Sequence, residues 1–223
     1  SFCIFDHETF NKPEMKKTVL ILAVILYLWG TGTLSAQEIR TLSHGFSINF
    51  VLGIPPANYG LTKTANPDDD IQLIVTTGLQ IGNRWYFGSS DVFKMGLMVN
   101  WFDITAGTRK NGDLTRAVVD VSLFELGPVA SFALSDDIAL DAYYNLRPTG
   151  FAHIWTYSTD DPAGYIGAGL THAIGTAFRW RALNVGLEYV IGSINCEHTE
   201  GSDTFADQKL VASHLRLMIG AKF

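Results

Sequence analysis

From Gln37 to Phe223 the chain alternates apolar and polar residues with a period of two, in stretch after stretch. Side chains two apart share a face only in an extended strand, so this pattern demands β-structure and leaves no amphipathic helix to build with. The last stretch is the clearest. Val211, Ser213, Leu215, Leu217, Ile219, Ala221 and Phe223 fall on one face, and Ala212, His214, Arg216, Met218, Gly220 and Lys222 on the other. Eight such segments are expected, at about 44–55, 71–87, 92–104, 118–134, 138–150, 164–180, 184–194 and 209–223.

The fourth segment changes phase near Phe124: Val119, Val121 and Leu123 share a face, then Leu126, Ala130 and Phe132 take it over. One extra residue in a strand does this, so a β-bulge is expected there, with Pro128 just beyond it. The fifth segment is the least regular, because Pro148 and Gly150 interrupt it. Connections alternate in length. Long ones are expected at 56–70, 105–117, 156–163 and 195–208; short ones lie at 88–91, 135–137 and 181–183. Strands joined by turns at one end and loops at the other form an up-and-down meander.

Such a meander closes either as a soluble lipocalin-like barrel, apolar inside, or as a transmembrane barrel, apolar outside. The polar face decides between them. It carries Arg84, Lys94, Asp120, Glu125, Asp141, Arg147, Arg179, Glu188 and Arg216 among many glycines, including Gly78, Gly82, Gly96, Gly127, Gly167, Gly169, Gly175, Gly186, Gly192 and Gly220. A solvated outer face has little use for glycine. A narrow eight-stranded interior, with room only for side chains, mixes small residues with a few large polar ones. Trp85, Phe87, Phe93, Phe132, Phe178, Trp180 and Phe223 lie near the short-turn ends, and Trp101, Trp155 and Tyr157 near the long-loop ends. Two aromatic belts are what the two membrane interfaces select.

The N-terminal part reads differently. Met15-Lys16-Lys17, the apolar run Val19–Trp29 and Leu34-Ser35-Ala36 have the layout of a secretory signal peptide over 15–36, cut after Ala36. The apolar run is too short to span a bilayer as a helix. Residues 1–14 read as sequence upstream of the start, leaving 37–223 as the barrel domain. A formal net charge of −6 offers no basic stripe for nucleic acid. Cys3 and Cys196 form neither a CxxC nor a metal-ligand cluster, and no cofactor is expected.

With signal peptide, eight alternating segments, short turns and the closing run His214-Leu215-Arg216-Leu217-Met218-Ile219-Gly220-Ala221-Lys222-Phe223, the chain resembles the small outer-membrane β-barrel proteins of Gram-negative bacteria, the OmpA transmembrane-domain and OmpX-like superfamily. The resemblance implies an eight-stranded antiparallel up-and-down transmembrane β-barrel in the cell outer membrane. It implies both termini in the periplasm, four loops outside, a monomer among outer-membrane lipids, and Phe223 as the signal read by the barrel-assembly machinery.

Inward charges must be paired, because an isolated buried ion costs several kcal/mol. Antiparallel pairing places Glu125 near Arg147, and Glu188 between Arg179 and Arg216. A salt-bridged lumen filling is the expectation, with a structural or surface-interaction role. A lipid A-modifying enzyme is the alternative, a soluble binding barrel the third reading. An acyl-transfer enzyme needs a nucleophile beside a base. His172 follows Thr171 and His214 follows Ser213, but strand neighbours point to opposite faces. His153 has no evident partner. Asp68-Asp69-Asp70 lacks EF-hand spacing and reads as a solvated acidic run. Cys196 reads as a plain free thiol. The four long connections hold ten acids and four bases, and therefore the whole net charge of the mature chain. The second is basic through Arg109, Lys110 and Arg116, which are candidates to pair with lipid phosphates; an external partner of the loops is the other expectation.

Overall fold

The computed structural model describes residues 41–55, 74–157, 163–198 and 208–223. The expected signal peptide, the run Asp68–Asp70 and the expected cut site lie outside the described residues. Ten strands and no helix appear among those described: β1 Gly45–Ile54, β2 Thr76–Phe87, β3 Phe93–Asn111, β4 Leu114–Ala133, β5 Ile138–Tyr157, β6 Ala163–Trp180, β7 Leu183–Ile191, β8 Ser193–His198, β9 Gln208–Val211 and β10 His214–Lys222.

They build eight staves. β7 and β8 are one stave, broken at Gly192, whose φ of 154° is open to glycine. β9 and β10 are another, broken beside it at Ala212 and Ser213. Gly192 donates its backbone N–H to Ser213 Oγ at 3.1 Å, which ties the two breaks together. Each stave pairs antiparallel with the next, and β1 closes the ring on β10 from Ser47↔Lys222 to Ile54↔Leu215. The result is a closed eight-stranded antiparallel barrel, with no open edge around its lower half.

One expected connection is corrected. Residues 105–117 are not a loop: β3 runs on to Asn111 and β4 starts at Leu114, joined by a two-residue turn with Gly112 at φ 59°. Glycine at the first central position suits the tight turns that match strand twist. Pro148 and Gly150 do not interrupt β5 either, which keeps one register against β6 from Ile138 to Trp155. Pro148 points outward, and the bonding around it survives.

Two bulges sit side by side. The expected one lies between Ser122 and Leu126, with Phe124 at φ 56°. A second inserts Trp101 into β3, where Ile81 faces Phe102 and Gly82 faces Asn100. Trp101 and Phe124 both point outward and meet edge to face at 5.9 Å. This places Trp101 about midway along a long strand rather than near its loop end.

Strand lengths fall into two groups. β1, β2, β7 and β10 have 10, 12, 9 and 9 residues. A tilted strand crosses a bilayer in about 9–11. β3 to β6 have 18 to 20, so they project roughly as far again beyond that zone. Polarity changes between the two zones. Toward the turns, Phe50, Leu140, Phe178, Leu187 and Ile219 are exposed on the outside, while Arg84, Glu125, Arg147, Glu188 and Arg216 are buried inside. Toward the loops, Ile74, Val118, Phe151, Ile194, Cys196, Leu210 and Ala212 form an interior apolar cluster, and Lys110, Glu197 and Lys209 are exposed on the outside.

Candidate functional site

The inner wall of the lower barrel carries two ionic clusters. In the upper one, Arg216 donates from one terminal nitrogen to both Asp103 oxygens at 2.6 Å and from the other to Glu188 at 2.8 Å. Tyr143 donates its hydroxyl to the second Glu188 oxygen at 3.1 Å. Its ring fits because Gly175 faces it: a Cβ there would stand 2.4 Å from the ring. Arg147 binds Glu125 through Nε and lies 3.3 Å from Asp120 and 3.6 Å from Asp103. Asn100 donates to the other Glu125 oxygen at 2.6 Å. From Asp103 a chain of amides runs around the inner wall over β2 and β1 to β7: Gln80 donates to Asp103, Asn49 to Gln80 and Asn184 to Asn49, each at 2.8–3.0 Å. All these groups are buried, where an unpaired charge is costly; among the described residues, Arg147 Nη1, Arg216 Nε and Asp120 Oδ2 have no hydrogen-bond partner.

The second cluster lies at the turn-end mouth. Asp141 binds Arg179 through two bonds of 2.8 Å and lies 3.1 Å from Arg84. Ser131 donates to Asp141 at 2.5 Å. Arg179 and Lys222 each stand 5.9 Å from the Tyr86 ring centroid, a cation–π distance.

The expected pairing is corrected in two places. Glu188 meets Arg216 but not Arg179, which belongs to Asp141 at the mouth. Lys94 joins neither set of ion pairs; it donates to the Leu42 carbonyl at 3.2 Å, at the rim. Asp103 was not expected inside. Alternation counted from Phe93, Met95, Leu97, Val99 and Trp101 puts it outside, and the extra residue at Trp101 turns it in. The adjacent aromatics Trp101-Phe102 are the signal, the same break of alternation as Leu123-Phe124.

At the loop end, Arg109 and Arg116 are directly opposed across β3 and β4, and Arg116 faces Trp155 on β5. This row lies on the inner face, while Lys110 lies on the outer. The three basic residues therefore do not form one surface. Below the row, His153 is buried against Trp155 at 5.4 Å between ring centroids, and neither ring nitrogen has a hydrogen-bond partner among the described residues. Burial first, and the Arg116 charge second, lower its pKa from 6.5 to about 4. Burial raises the Cys196 thiol to about 11, an unreactive state at neutral pH.

The histidines considered for catalysis separate. His172 faces outward and its Nδ1 lies 2.5 Å from the Tyr144 hydroxyl. His214 faces inward, with Nδ1 2.8 Å from the Ala212 carbonyl. Ser213 bonds to Gly192 rather than to either. Phe223 pairs with Phe46 through two backbone bonds, Phe46 N–H to Phe223 O at 3.0 Å and Phe223 N–H to Phe46 O at 2.7 Å, sealing the β1–β10 seam.

A closed barrel with ions inside and an apolar belt outside belongs to the class of membrane-spanning β-barrels, since only closure satisfies every backbone group in lipid. Among solved structures, the chain is similar to the attachment invasion locus protein Ail of Yersinia pestis, at 14% identity and TM-score 0.47, covering 81% of this chain and 97% of that one. It is similar to OprG of Pseudomonas aeruginosa at 12% and 0.39, covering 81% and 96%. It is also similar to the outer membrane protease OmpT of Escherichia coli at 7% and 0.41, covering 81% and 93%. At these identities the likeness is one of architecture alone. No protein-family model matches the chain. No curated protein matches it either.

Proposed function

We propose that this is an integral outer-membrane protein of a Gram-negative cell, acting without turnover as a structural and surface-interaction protein and holding no open pore. One observation carries the reading: the lower barrel is apolar outside and ionic inside over the length of a bilayer crossing, and the staves then project beyond it. The projecting part is the surface available to partners. In this reading the turn end faces the periplasm and the loop end faces outward. Phe223 ends the strand that the assembly machinery would read, and the barrel works as a monomer among lipids. The β3–β4 hairpin offers Lys110 on its outer face to lipid phosphates, and Arg109 with Arg116 on its inner face to an anionic group approaching the mouth.

Fractionation tests the frame. The protein should be recovered with outer membranes and should migrate differently in unboiled and boiled detergent gels. Recovery wholly in the soluble periplasm would sink the reading. The role is tested separately: Lys110→Gln should weaken binding to phosphorylated lipid headgroups, most at low salt, because screening shortens the reach of an exposed charge. Lipid acyl transfer or hydrolysis by the purified protein would replace this function with the enzymatic one.

A further inference from the structure

The turn-end mouth is crossed by a short strap, Thr41 to His44, and the way it is held is unusual. Three consecutive carbonyl oxygens are each bound by a cation from a different stave. Arg179 of β6 donates to Thr41 O at 2.5 Å, Lys94 of β3 to Leu42 O at 3.2 Å, and Lys222 of β10 to Ser43 O at 2.8 Å. Leu42 is buried between them. The Tyr86 N–H donates to His44 Nδ1 at 2.9 Å, and Thr41 Oγ1 donates to the Asp136 carbonyl on the β4–β5 turn. Gly45 leaves the room that Lys222 needs: a Cβ there would stand 2.9 Å from Lys222 Cε.

Charge makes the strap a poor match for its cradle. Inside the mouth, Arg84, Lys94, Arg179 and Lys222 face a single carboxylate, Asp141, among the described residues. The other acids at this end, Asp91, Asp136 and Asp137, sit exposed on the turns, and Asp137 pairs there with Arg181 at 3.1 Å. Carbonyl oxygens satisfy donors but neutralise no charge. Nor is every donor satisfied: Arg84 is buried, and its Nε has no hydrogen-bond partner among the described residues. Cations buried among neutral acceptors favour any anion that can reach them.

We propose that the turn-end mouth is a binding site for a phosphate group, and that the strap is its built-in competitor. The Lys94 and Lys222 ammonium groups and the Arg179 guanidinium, which now hold the strap's carbonyl oxygens, are the donors that would receive the phosphate. Lys94 and the strap are only partly buried, so the site opens toward the periplasmic side in the orientation proposed above. A phosphate there comes either from solution or from an inner-leaflet lipid headgroup. A site occupied by its own chain binds with an apparent affinity reduced by the fraction of time it is vacant. Releasing the strap therefore tightens binding.

The test uses the full chain in nonionic maltoside micelles. Inorganic phosphate is titrated at constant ionic strength against chloride, and phosphatidylglycerol is titrated into the same micelles. The readouts are the backbone amide signals of residues 41–44 and the thermal midpoint. In the native protein, phosphate or the lipid should shift the amides saturably and raise the midpoint. Leu42→Ser, which removes the strap's anchor, should bind about tenfold tighter or better. Adding Lys222→Met should abolish the gain. Because Leu42 also contributes packing, Lys222→Met alone in the otherwise native chain is the second variant, and it should lose the response. A response to free phosphate identifies a soluble anion, and a response to phosphatidylglycerol alone identifies a headgroup. No response to either, or equal affinity in native protein and Leu42→Ser, would overturn the proposal.

Discussion

Among the described residues, the lower half of the barrel is built on all eight staves and the upper half on the six that run beyond it, and the two halves solve opposite problems. Stave seven shows the change in one run. In β7, Leu183, Val185, Leu187, Tyr189 and Ile191 point out and Asn184, Gly186 and Glu188 point in; in β8, Asn195 and Glu197 point out and Ile194 and Cys196 point in. The geometric alternation never shifts across Gly192. Only the chemistry of the two faces is exchanged. The last stave does the same, from Leu217 out and Arg216 in to Lys209 out and Leu210 in. A lipid surround rewards apolar residues outside and tolerates ions only where they pair inside. Water reverses both preferences, so the upper half has the interior of a soluble barrel. In these two staves the boundary of the surrounding medium is written at a definite place, the break at Gly192 in one and at Ala212 and Ser213 in the other.

The largest effect expected on this contrast comes from the lower interior. Arg216→Met removes the only guanidinium bound to Glu188 among the described residues and the closer of the two at Asp103. Breaking a buried pair while leaving its anion costs about 3–5 kcal/mol. Reversible urea unfolding in lipid vesicles would measure it, and a loss below 1 kcal/mol would mean that the amide chain through Gln80 and Asn49 holds Asp103 by itself.

A matched pair on one stave sharpens the boundary. Leu217→Lys puts a charge on the outer face within the bilayer-crossing length, where about 2–4 kcal/mol is lost at the midplane. Lys209→Leu makes the reverse change above the boundary and should alter stability by less than about 0.5 kcal/mol, as exposed surface substitutions do. Equal costs at the two positions would erase the distinction between the halves.

Much of this was legible in the sequence, for a physical reason. Period-two alternation reports which face a residue takes, so it recovers the eight staves and the bulge at Phe124; of the charged residues it turns inward, all but Lys94 at the rim are buried. It fails where a single inserted residue inverts the count, which is how Asp103 escaped. It fails again where the medium changes. Above the boundary, Thr105, Gly107 and Arg109 take the inner face and Ala106 and Thr108 the outer, with Arg109 exposed near the hairpin tip. Read with the lower-half rule, that run looked like a loop. Partner choice is lost for a different cause, register: Arg179 stands opposite Asn184, four residues from Glu188, but on its other side opposite Ala139, two residues from Asp141, while Glu188 lies directly opposite Arg216.

Acid should separate the halves next. His153 is neutral in the folded upper half, with its pKa lowered to about 4, and takes a proton near 6.5 when unfolded. Between those values the unfolded chain binds more protons, so stability is full above about pH 6.5 and falls as the pH drops toward 4. The loss approaches about 3 kcal/mol at the bottom of that window. Thermal midpoints measured from pH 7 to pH 4 should drop for the native protein and drop less for His153→Phe. An identical slope in the variant would assign the acid sensitivity to other groups.

The smallest effect lies at the hairpin tip. Arg109 and Arg116 are opposed on the same face, and like charges so placed destabilise a strand pair by a fraction of a kcal/mol, within the ~0.2–1 kcal/mol range of cross-strand pairs. Arg116 also holds His153 down, as the second cause of its lowered pKa after burial. Arg116→Gln should therefore act twice, relieving the repulsion across the pair and moving the His153 titration upward while leaving it below 6.5, since burial remains. Both changes should shrink as salt is added, because the hairpin tip is open to solvent and its charges are screened over about 10 Å at 0.1 M ionic strength. Proton NMR of the imidazole, read with the thermal midpoint at low and high salt, distinguishes the two. An unmoved titration would show that burial alone sets the state of His153, and a lower midpoint would show that the two arginines share an anion rather than repel each other.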